Sequence, residues 1–256
     1  MKGKYMTVKP LVKKSMFFLR SSLVQLNNKK EKYQCSICGY HGPFLDVVRS
    51  TGLRKNAQCP KCQSFERHRL IKLVIDKIGA TRDFSKMSIL HIAPEPYFRT
   101  LFQNTFREYL SADLERKDVD INVDLRKLPF EDKKFDMVVA SHVLEHIKED
   151  TQALSEIRRI LKPTGVAVLP VPVVSYKTIE YPQRYESGHV RAPGFDYFDR
   201  YKPLFSNVEV YSSKDFPEKY QTYILEDRDR WPTKETPMRL PMKGTKHLDI
   251  VPVCYV

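Results

Sequence analysis

The chain has 256 residues, of which 41% are hydrophobic, enough for one full α/β domain with a small additional module. Its five cysteines are too few for a secreted disulfide scaffold of this length, so a reducing, cytoplasmic compartment is expected. The net charge is +13, but residues 1–32 hold nine basic side chains and one acid and so carry +8 of it. The other 224 residues carry +5, so no strong basic field needs to surround an active site.

Residues 1–32 are predicted to be a basic amphipathic leader. Charged residues interrupt its apolar side chains too often for it to span a bilayer. A basic segment with an apolar face can lie on an anionic surface, which would place the protein at the inner face of the membrane. Two alternatives stay open, a transit peptide and an arm that packs on the chain's own domain.

A compact cysteine module follows at residues 33–65. Its spacing is C-x2-C-x20-C-x2-C, formed by Cys35, Cys38, Cys59 and Cys62. Two thiolates on each of two tight turns can meet at a tetrahedral metal, so the pattern predicts a zinc ribbon with a structural zinc and no chemistry of its own. As a further role, the ribbon could contact substrate through four basic residues, which are Arg49, Arg54, Lys55 and Lys61.

Residues 66–256 alternate between helical and strand-like patterns, starting with a helix in FERHRLIKLVIDKIGA. Strands are predicted at 88–93, 108–113, 119–124, 135–141 and 165–172, followed by a closing antiparallel pair at 207–212 and 247–256. A helix before the 165–172 strand is ended by Pro163 and Gly165. Continuous apolar strands alternating with helices predict an α/β fold with a parallel, doubly wound sheet. The 175–200 segment is predicted to be an insertion on the substrate side.

Two aspartates mark a candidate nucleoside site. In an open α/β sheet, ligands bind at the carboxyl ends of the strands, and an acid about 20 residues after the first turn binds ribose hydroxyls. Asp113 lies 19 residues after Pro94, which follows the strand ILHIA, and Asp124 ends the next predicted strand. Successive strand ends with this spacing predict a nucleoside-binding crevice.

At this point the sequence resembles a known family. The run DLRKLPFEDKKFDMVVASHVLEHIKED, with the later LKPTGVAVLPVP, resembles class I S-adenosylmethionine-dependent methyltransferases. From ILHIAPE to GHVRAPGFDYFDRY the string is similar to a bacterial subgroup associated with glycan biosynthesis, and the resemblance covers residues 60–212. It implies a Rossmann-like sheet of seven strands with S-adenosylmethionine bound over strands one to four.

The resemblance also implies a set of cofactor-binding residues. Asp113 would bind the ribose, Asp124 and Leu125 would frame the adenine, and Ser141 would lie beneath the cofactor. The full set is Ala93, Pro94, Glu95, Asp113, Leu114, Asp124, Leu125, Ser141 and His142.

The first loop departs from the family pattern. In place of an acid on the strand and a G-x-G-x-G turn, this chain has His91, Ala93, Pro94, Glu95 and Tyr97. A dinucleotide needs those glycines because its pyrophosphate approaches the backbone, but S-adenosylmethionine has no phosphate. We expect Glu95 to hold the methionyl ammonium group, and the alternative is an inactive scaffold that binds no cofactor.

The stretch SHVLEH, from Ser141 to His146, has two incompatible interpretations. His142, Glu145 and His146 match the H-x-x-E-H pattern of a zinc peptidase, which requires one continuous helix. The preceding FDMVVA is predicted to be a buried strand, which puts the motif in a loop and excludes the peptidase.

Two catalytic roles stay open for this loop. In some methyltransferases that act on vicinal diols, the equivalent loop and a later histidine hold a magnesium-like ion, and here the candidate ligands are His142, Glu145, His146 and His189. Without an ion, a neutral histidine would remove the proton of an acceptor hydroxyl, with His189 as first choice and His142 or His146 in reserve. Arg191 is expected to fix the acceptor through its planar donors.

The leading functional prediction is an O-methyltransferase acting on a sugar hydroxyl of a glycan or lipid-linked saccharide. The aromatic side chains of residues 176–201 support a saccharide acceptor. The alternatives are an RNA methyltransferase with zinc-ribbon RNA recognition and the inactive scaffold. A nucleic-acid partner is not expected, because SHVL replaces the Asn/Asp-Pro-Pro-aromatic turn of base methylation and the charge is concentrated in the leader.

Overall fold

The computed structural model describes residues 10–27, 29–49, 52–185 and 188–256, so residues 1–9 of the predicted leader lie outside it. The helices are α1 (Pro10–Gln25), α2 (Glu66–Gly79), α3 (Pro96–Thr105) and α4 (Asp150–Ile160). The strands before α4 are β1 (Tyr33–Gln34), β2 (His41–Gly42), β3 (Leu45–Arg49), β4 (Gly52–Gln58), β5 (Ser88–Ile92), β6 (Glu108–Asp113), β7 (Ile121–Asn122) and β8 (Phe135–Ala140). The strands after it are β9 (Leu161–Val168), β10 (Ile179–Glu180), β11 (Arg191–Ala192), β12 (Asn207–Ser212), β13 (Ile224–Leu225), β14 (Lys246–His247) and β15 (Ile250–Tyr255).

Seven strands form the central sheet, in the order β12-β15-β9-β8-β5-β6-β7. The strands from β9 to β7 pair in parallel, whereas β15 is antiparallel to both of its neighbours. The chain reverses direction along the sheet between β5 and β8, and the ligands of open α/β sheets bind at such a switch point. The predicted α/β, Rossmann-like fold with a seven-stranded sheet is confirmed.

Helices cover both faces of this sheet. On β8, Met137 and Val139 pack with residues of α2 and α3, whereas Val138 and Ala140 pack with residues of α4 on the other face. All four side chains are buried, which explains why the strand is a continuous apolar run rather than an alternating one. The helix predicted in the connector and the closing antiparallel pair are also present, as α2 and as β12 with β15.

Two predicted strands have different bounds. The run expected at 119–124 forms only β7, because Asp120 turns back to accept hydrogen bonds from the backbone N–H and the hydroxyl of Ser111. The last parallel strand begins at Leu161 instead of residue 165, so Pro163 and Gly165 lie inside β9. The register against β8 shifts there, and the strand tolerates both residues at this irregularity.

The described part of the 175–200 insertion contains regular structure and contributes side chains to the main core. β10 and β11 pair within it, and a 3₁₀ helix spans Phe195–Arg200. Tyr197, Phe198 and the following Tyr201 are buried in the main core. These three rings therefore do not form a sugar-stacking surface, contrary to the aromatic argument for a saccharide.

The leader helix α1 lies beside the cysteine module. Arg20 donates to the carbonyl of Asp46 at 2.7 Å, and Lys30, beyond the helix, pairs with the Asp46 carboxylate at 2.9 Å. Within the described ranges, none of the helices has the length and apolar character needed to cross a membrane.

Candidate active site

Two cavities lie beside the sheet at the switch point. The strand-end cavity has a volume of about 660 Å³ and is lined by residues that follow β5, β6 and β8, including Ala93, Asp113 and His142. The arginine cavity has a volume of about 680 Å³ and lies between the cysteine module and the C-terminal segment. Among the described residues, His142 alone lines both.

Six of the predicted cofactor residues line the strand-end cavity, and they are Ala93, Asp113, Leu114, Asp124, Leu125 and His142. Ile92 pairs with Ala112 in the sheet, and this register brings Asp113 next to the turn after β5. Pro94 is buried, and its carbonyl accepts a hydrogen bond from Arg116 at 2.7 Å. Pro94, Glu95 and Ser141 do not line this cavity.

The turn after β5 has a glycine-like backbone without a glycine. Ala93 has φ +48°, in the left-handed region that glycine occupies most easily. A side chain limited to one methyl group makes this conformation tolerable. The chain therefore keeps a sharp turn at the strand end although the glycines of the family pattern are missing.

Glu95 lies at the start of α3 with one oxygen engaged and one free. Its Oε1 is 3.0 Å from His68 Nε2, 3.4 Å from Arg67 Nε and 3.4 Å from the Ser141 hydroxyl. Burial alone would raise the pKa of Glu95, but the hydrogen bond to His68 and the charges of His68, Arg67 and His91 together outweigh it and hold the pKa below its usual value. Oε2 is buried without a hydrogen-bond partner among the described residues. An orphaned carboxylate oxygen is costly, and a donor from a ligand would satisfy it.

The SHVLEH stretch lies in a loop, as predicted. β8 ends at Ala140, His142 has φ +56°, and only Leu144–His146 form a short 3₁₀ turn. The two histidines of the motif therefore do not project from one helix, and a peptidase is excluded.

This loop holds a buried carboxyl group among imidazoles. Both oxygens of Glu145 are buried and lack hydrogen-bond partners among the described residues. Its Oε1 is 3.7 Å from His142 Nδ1 and 3.8 Å from His146 Nε2, which is too far for hydrogen bonds. Burial raises the pKa of Glu145 to about 8, so the group is mostly protonated at neutral pH.

The metal interpretation of this loop is supported only in part. Donor atoms of Glu145, His146 and His189 lie within 4.8 Å of one another, and His142 is not in that group. Two imidazole donors do not suit magnesium, which prefers an all-oxygen octahedron, so the magnesium prediction is not supported. A protonated carboxyl is also a poor ligand until it loses its proton.

His142 has the chemical state of a general base. Burial lowers its pKa well below the usual value, so the imidazole is neutral at pH 7. Its Nε2 is buried and has no hydrogen-bond partner in the described part of the chain. His189, the first choice from sequence, lines only the arginine cavity, and His146 lines only the strand-end cavity.

The arginine cavity has a basic lining, although the charge count of residues 33–256 did not require one. Five arginines and two acids line it, together with Trp231: Arg49, Arg54, Arg67, Arg228, Arg239, Glu226 and Asp249. Arg49 and Arg54 were candidates from sequence, whereas Lys55 and Lys61 do not line the cavity. Sequence reasoning missed Arg67, Arg228, Arg239 and Trp231, because no local pattern marks them as neighbours.

A comparison with protein families matches the part of the chain that forms the middle of the sheet. Residues 90–169 match the family model described as "Methyltransferase domain". This segment carries the methyltransferase domain. The predicted enzyme class, an S-adenosylmethionine-dependent methyltransferase, is confirmed by this match.

Similar proteins vary in how much of the methyltransferase chain they cover. An uncharacterized 37.1 kDa protein in transposon TN4556 of Streptomyces fradiae is 41% identical over 59 residues, which are 23% of this chain and 17% of that protein. A demethylmenaquinone methyltransferase of Renibacterium salmoninarum is 28% identical over 173 residues, covering 64% of this chain and 67% of that one. The crystal structure of the PH0226 protein from Pyrococcus horikoshii OT3 is 19% identical with a TM-score of 0.48 and covers 74% and 89% of the two chains.

Arg191 holds the loop after β8, which contains the SHVLEH stretch, and is not available to an acceptor. Its side chain is 1% exposed, and its guanidinium donates to the carbonyls of Leu144, Ile147 and Lys148 at 2.6 to 3.0 Å. Its Nε lies 3.1 Å from both oxygens of Glu180. The predicted acceptor contact is therefore wrong, because every side of the group is already engaged within the protein.

The four cysteines of the N-terminal module converge. Cys35 Sγ lies 3.6 Å from Cys62 Sγ, and Cys38 Sγ lies 3.7 Å from Cys59 Sγ. Sulfur atoms at about 2.3 Å from a tetrahedral zinc are about 3.8 Å apart, so the cluster has the size of such a site. These four residues form a group that could hold a metal ion.

A buried arginine lies next to this cluster. Arg69 is fully buried, and its guanidinium donates only to carbonyl oxygens, of Ala57, Ser64, Tyr220 and Gln221. The charge of Glu66 and, after it, the thiolate charges of the cluster act on this cation favourably. A metal with four thiolates carries a net negative charge, which would balance this cation.

Proposed function

We propose that this methyltransferase transfers the methyl group of S-adenosylmethionine to a hydroxyl group of a saccharide. The observation that carries the proposal is the position of His142, a neutral imidazole that lines both cavities. A cofactor in the strand-end cavity and an acceptor in the arginine cavity would meet at this side chain.

Four side chains have separate roles in this proposal. When bound, S-adenosylmethionine supplies an electrophilic methyl group. Asp113 would accept hydrogen bonds from the ribose hydroxyls. Glu95, which lies just outside the strand-end cavity, would accept one from the methionyl ammonium through its unpartnered Oε2. His142 takes the proton of the acceptor hydroxyl as the new bond forms, which contributes a typical factor of 10² to 10⁴ to the rate. Arg191 holds the loop so that the imidazole is already in place.

A saccharide suits the arginine cavity, because its lining is rich in polar and charged side chains that can bond to sugar hydroxyl groups. An apolar quinone, which the name of the Renibacterium relative suggests for that protein, would fit this charged lining poorly. The test is to incubate the enzyme with S-adenosylmethionine labelled in its methyl group and a panel of saccharides, with transfer RNA and ribosomal RNA as competitors. A labelled methyl ether of a sugar supports the proposal, and label only in RNA contradicts it.

Glu95→Gln is expected to weaken S-adenosylmethionine binding roughly ten-fold or more, because an amide loses the charge that pairs with the ammonium group. The measurement is calorimetric titration of the variant and the wild type. Asp118→Asn removes an exposed carboxylate that pairs with Arg116 and serves as the control. Equal affinity of Glu95→Gln and the wild type would show that Glu95 does not hold the cofactor.

We further propose that the Cys35, Cys38, Cys59 and Cys62 cluster holds a structural zinc. The sulfur separations and the charge of Arg69 support it, and four sulfur ligands would leave the ion no open position for chemistry.

The leader is proposed to contact an anionic membrane surface. Four apolar side chains of its helix and the residues just after it are strongly exposed: Phe18, Leu19, Leu23 and Leu26. Leu19→Ser combined with Leu23→Ser is expected to reduce cosedimentation with phosphatidylglycerol vesicles several-fold, because about two buried leucines are lost from the bilayer contact. The double variant Ser22→Ala with Asn27→Ala is the control. Equal cosedimentation of the leucine variant and the wild type would leave the leader with no membrane role.

A further inference from the structure

The arginine cavity carries more positive charge than its own acids balance. Five arginines line it against two carboxyl groups, Glu226 and Asp249. Burial raises the pKa of Asp249 to about 6, so part of its negative charge is lost near neutral pH. Two further carboxylates, Glu66 and Glu95, pair with arginines of this lining, so the cavity has a small excess of positive charge, although the chain beyond the leader is only mildly basic.

The arginines differ in how they are paired. Arg54 lies 3.1 Å from Glu66, and Arg67 lies 3.4 Å from Glu95. Arg228 donates to the carbonyl of Val173 at 2.7 Å and is 3.9 Å from the nearest oxygen of Glu226. Each of these partners leaves other guanidinium donors for a ligand.

Arg49 has no carboxylate at ion-pair distance in the described part of the chain. Its guanidinium lies over the ring of Phe65, 5.0 Å from the centroid. Burial, followed by the charges of Arg54 and Arg67, lowers its pKa. Like charges held together in this way are unfavourable unless an anion joins them.

On the C-terminal side of the cavity, two arginines stack on the ring of Trp231. The guanidinium carbons of Arg228 and Arg239 lie 5.3 and 4.7 Å from its ring centroid. The planar donor fork of a guanidinium group matches the oxygens of a phosphate. Two distant parts of the chain thus present arginines to the same cavity.

We propose that the acceptor saccharide carries a phosphate group and that Arg49, Arg228 and Arg239 bind this group while the hydroxyl to be methylated reaches His142. The inference rests on the proposed function, since it assigns the second cavity to the acceptor. The phosphate could belong to a soluble sugar phosphate or to a phosphate-linked lipid, because both present the same oxygens to the arginines.

The test measures anion and cofactor binding separately on the full chain. Inorganic pyrophosphate is titrated into the protein saturated with S-adenosylhomocysteine, with malonate as the carboxylate probe. Arg49→Gln and Arg239→Gln are each expected to weaken pyrophosphate binding roughly ten-fold or more. Arg230→Gln removes an equal charge from a neighbouring exposed side chain outside the cavity and should change nothing.

Several results would overturn the proposal. They are no pyrophosphate binding by the folded wild type, an equal loss in Arg230→Gln, malonate binding as tightly as pyrophosphate, and pyrophosphate displacing S-adenosylhomocysteine. The last result would assign the arginines to the cofactor carboxylate. If the protein binds pyrophosphate but no S-adenosylhomocysteine, the proposed function fails while the anion site stands.

A second titration identifies the source of the phosphate. Glucose 1-phosphate in solution is compared with a polyprenyl phosphate in phosphatidylcholine vesicles, again in the wild type and Arg49→Gln. Tighter binding of the first supports a soluble sugar phosphate, and tighter binding of the second supports a lipid-linked acceptor. If Arg49→Gln affects neither, the phosphate is not bound in this cavity.

Discussion

His142→Asn is expected to lower kcat for methyl transfer by roughly 10²- to 10⁴-fold and to leave S-adenosylmethionine affinity nearly unchanged. Asparagine is chosen because His142 has φ +56°, a conformation that asparagine adopts more readily than alanine. Its amide cannot accept the proton of the acceptor hydroxyl. Single-turnover rates at saturating cofactor, with binding measured by calorimetry, separate the chemical step from the binding step.

Matched substitutions test whether the effect belongs to His142. His189→Asn and His146→Asn remove imidazoles that each line only one cavity and should lower kcat much less. A larger loss in His189→Asn than in His142→Asn would transfer the base role to His189. Retention of wild-type kcat by all three variants would eliminate an imidazole base altogether.

The pH profile gives an independent readout of the same base. A base acts in its deprotonated form, so kcat/KM rises with pH through its pKa and then levels off. Because burial lowers the pKa of His142 well below 6.5, the rising limb should lie at acidic pH, with full activity at pH 7. A rising limb centred above pH 7 would indicate another group.

Removal of the proposed zinc is expected to lower the stability of the N-terminal module and to weaken acceptor binding. Cys38→Ser should reduce metal content from one zinc per chain to near zero and destabilise the N-terminal module by several kcal/mol, since metal binding supplies folding energy to such modules. Arg49 and Arg54 belong to the β3–β4 hairpin of that module. KM for the acceptor should therefore rise at least ten-fold. Metal analysis, thermal unfolding and acceptor kinetics measure the three effects.

Cofactor affinity is the internal control for Cys38→Ser, because it is expected to stay unchanged. The strand-end cavity is lined by residues after β5, β6 and β8 and by no described residue of the cysteine module, so S-adenosylmethionine affinity should change little. Cys254→Ser alters a buried cysteine of β15 outside the cluster and should keep the zinc. Two metals per chain in the wild type would show that Glu145, His146 and His189 also bind an ion. Wild-type stability and KM in metal-free Cys38→Ser would refute a structural role for the cluster.

Much of the fold was readable from sequence because burial leaves a local pattern. A strand covered by helices on both faces, such as β8, must be apolar along its length, and a helix such as α4 must repeat its apolar residues at helical spacing. The strand-end position of Asp113 and the loop position of SHVLEH then follow from the order of the elements. Strand bounds near Asp120 and Pro163 failed because side-chain hydrogen bonds and a register shift decided them.

The spacing of the four cysteines also predicted correctly that their sulfur atoms lie close together, because two C-x2-C turns bring two thiols each to one point. The sequence thus determined the fold class, the candidate cofactor crevice and the sulfur cluster. In each case the necessary information lies within a short window of the chain.

Only the tertiary structure decided what surrounds that crevice. Arg49 and Arg239 are separated by 190 positions, yet both line one cavity. Arg191 was expected to bind the acceptor, but it donates its hydrogen bonds to backbone carbonyls of the loop after β8. Tyr197 and Tyr201 are buried in the core. The direction of a surface side chain depends on which distant segments pack around it. Charge counted along the chain therefore misjudged the site, because the electrostatic field depends on separations in space.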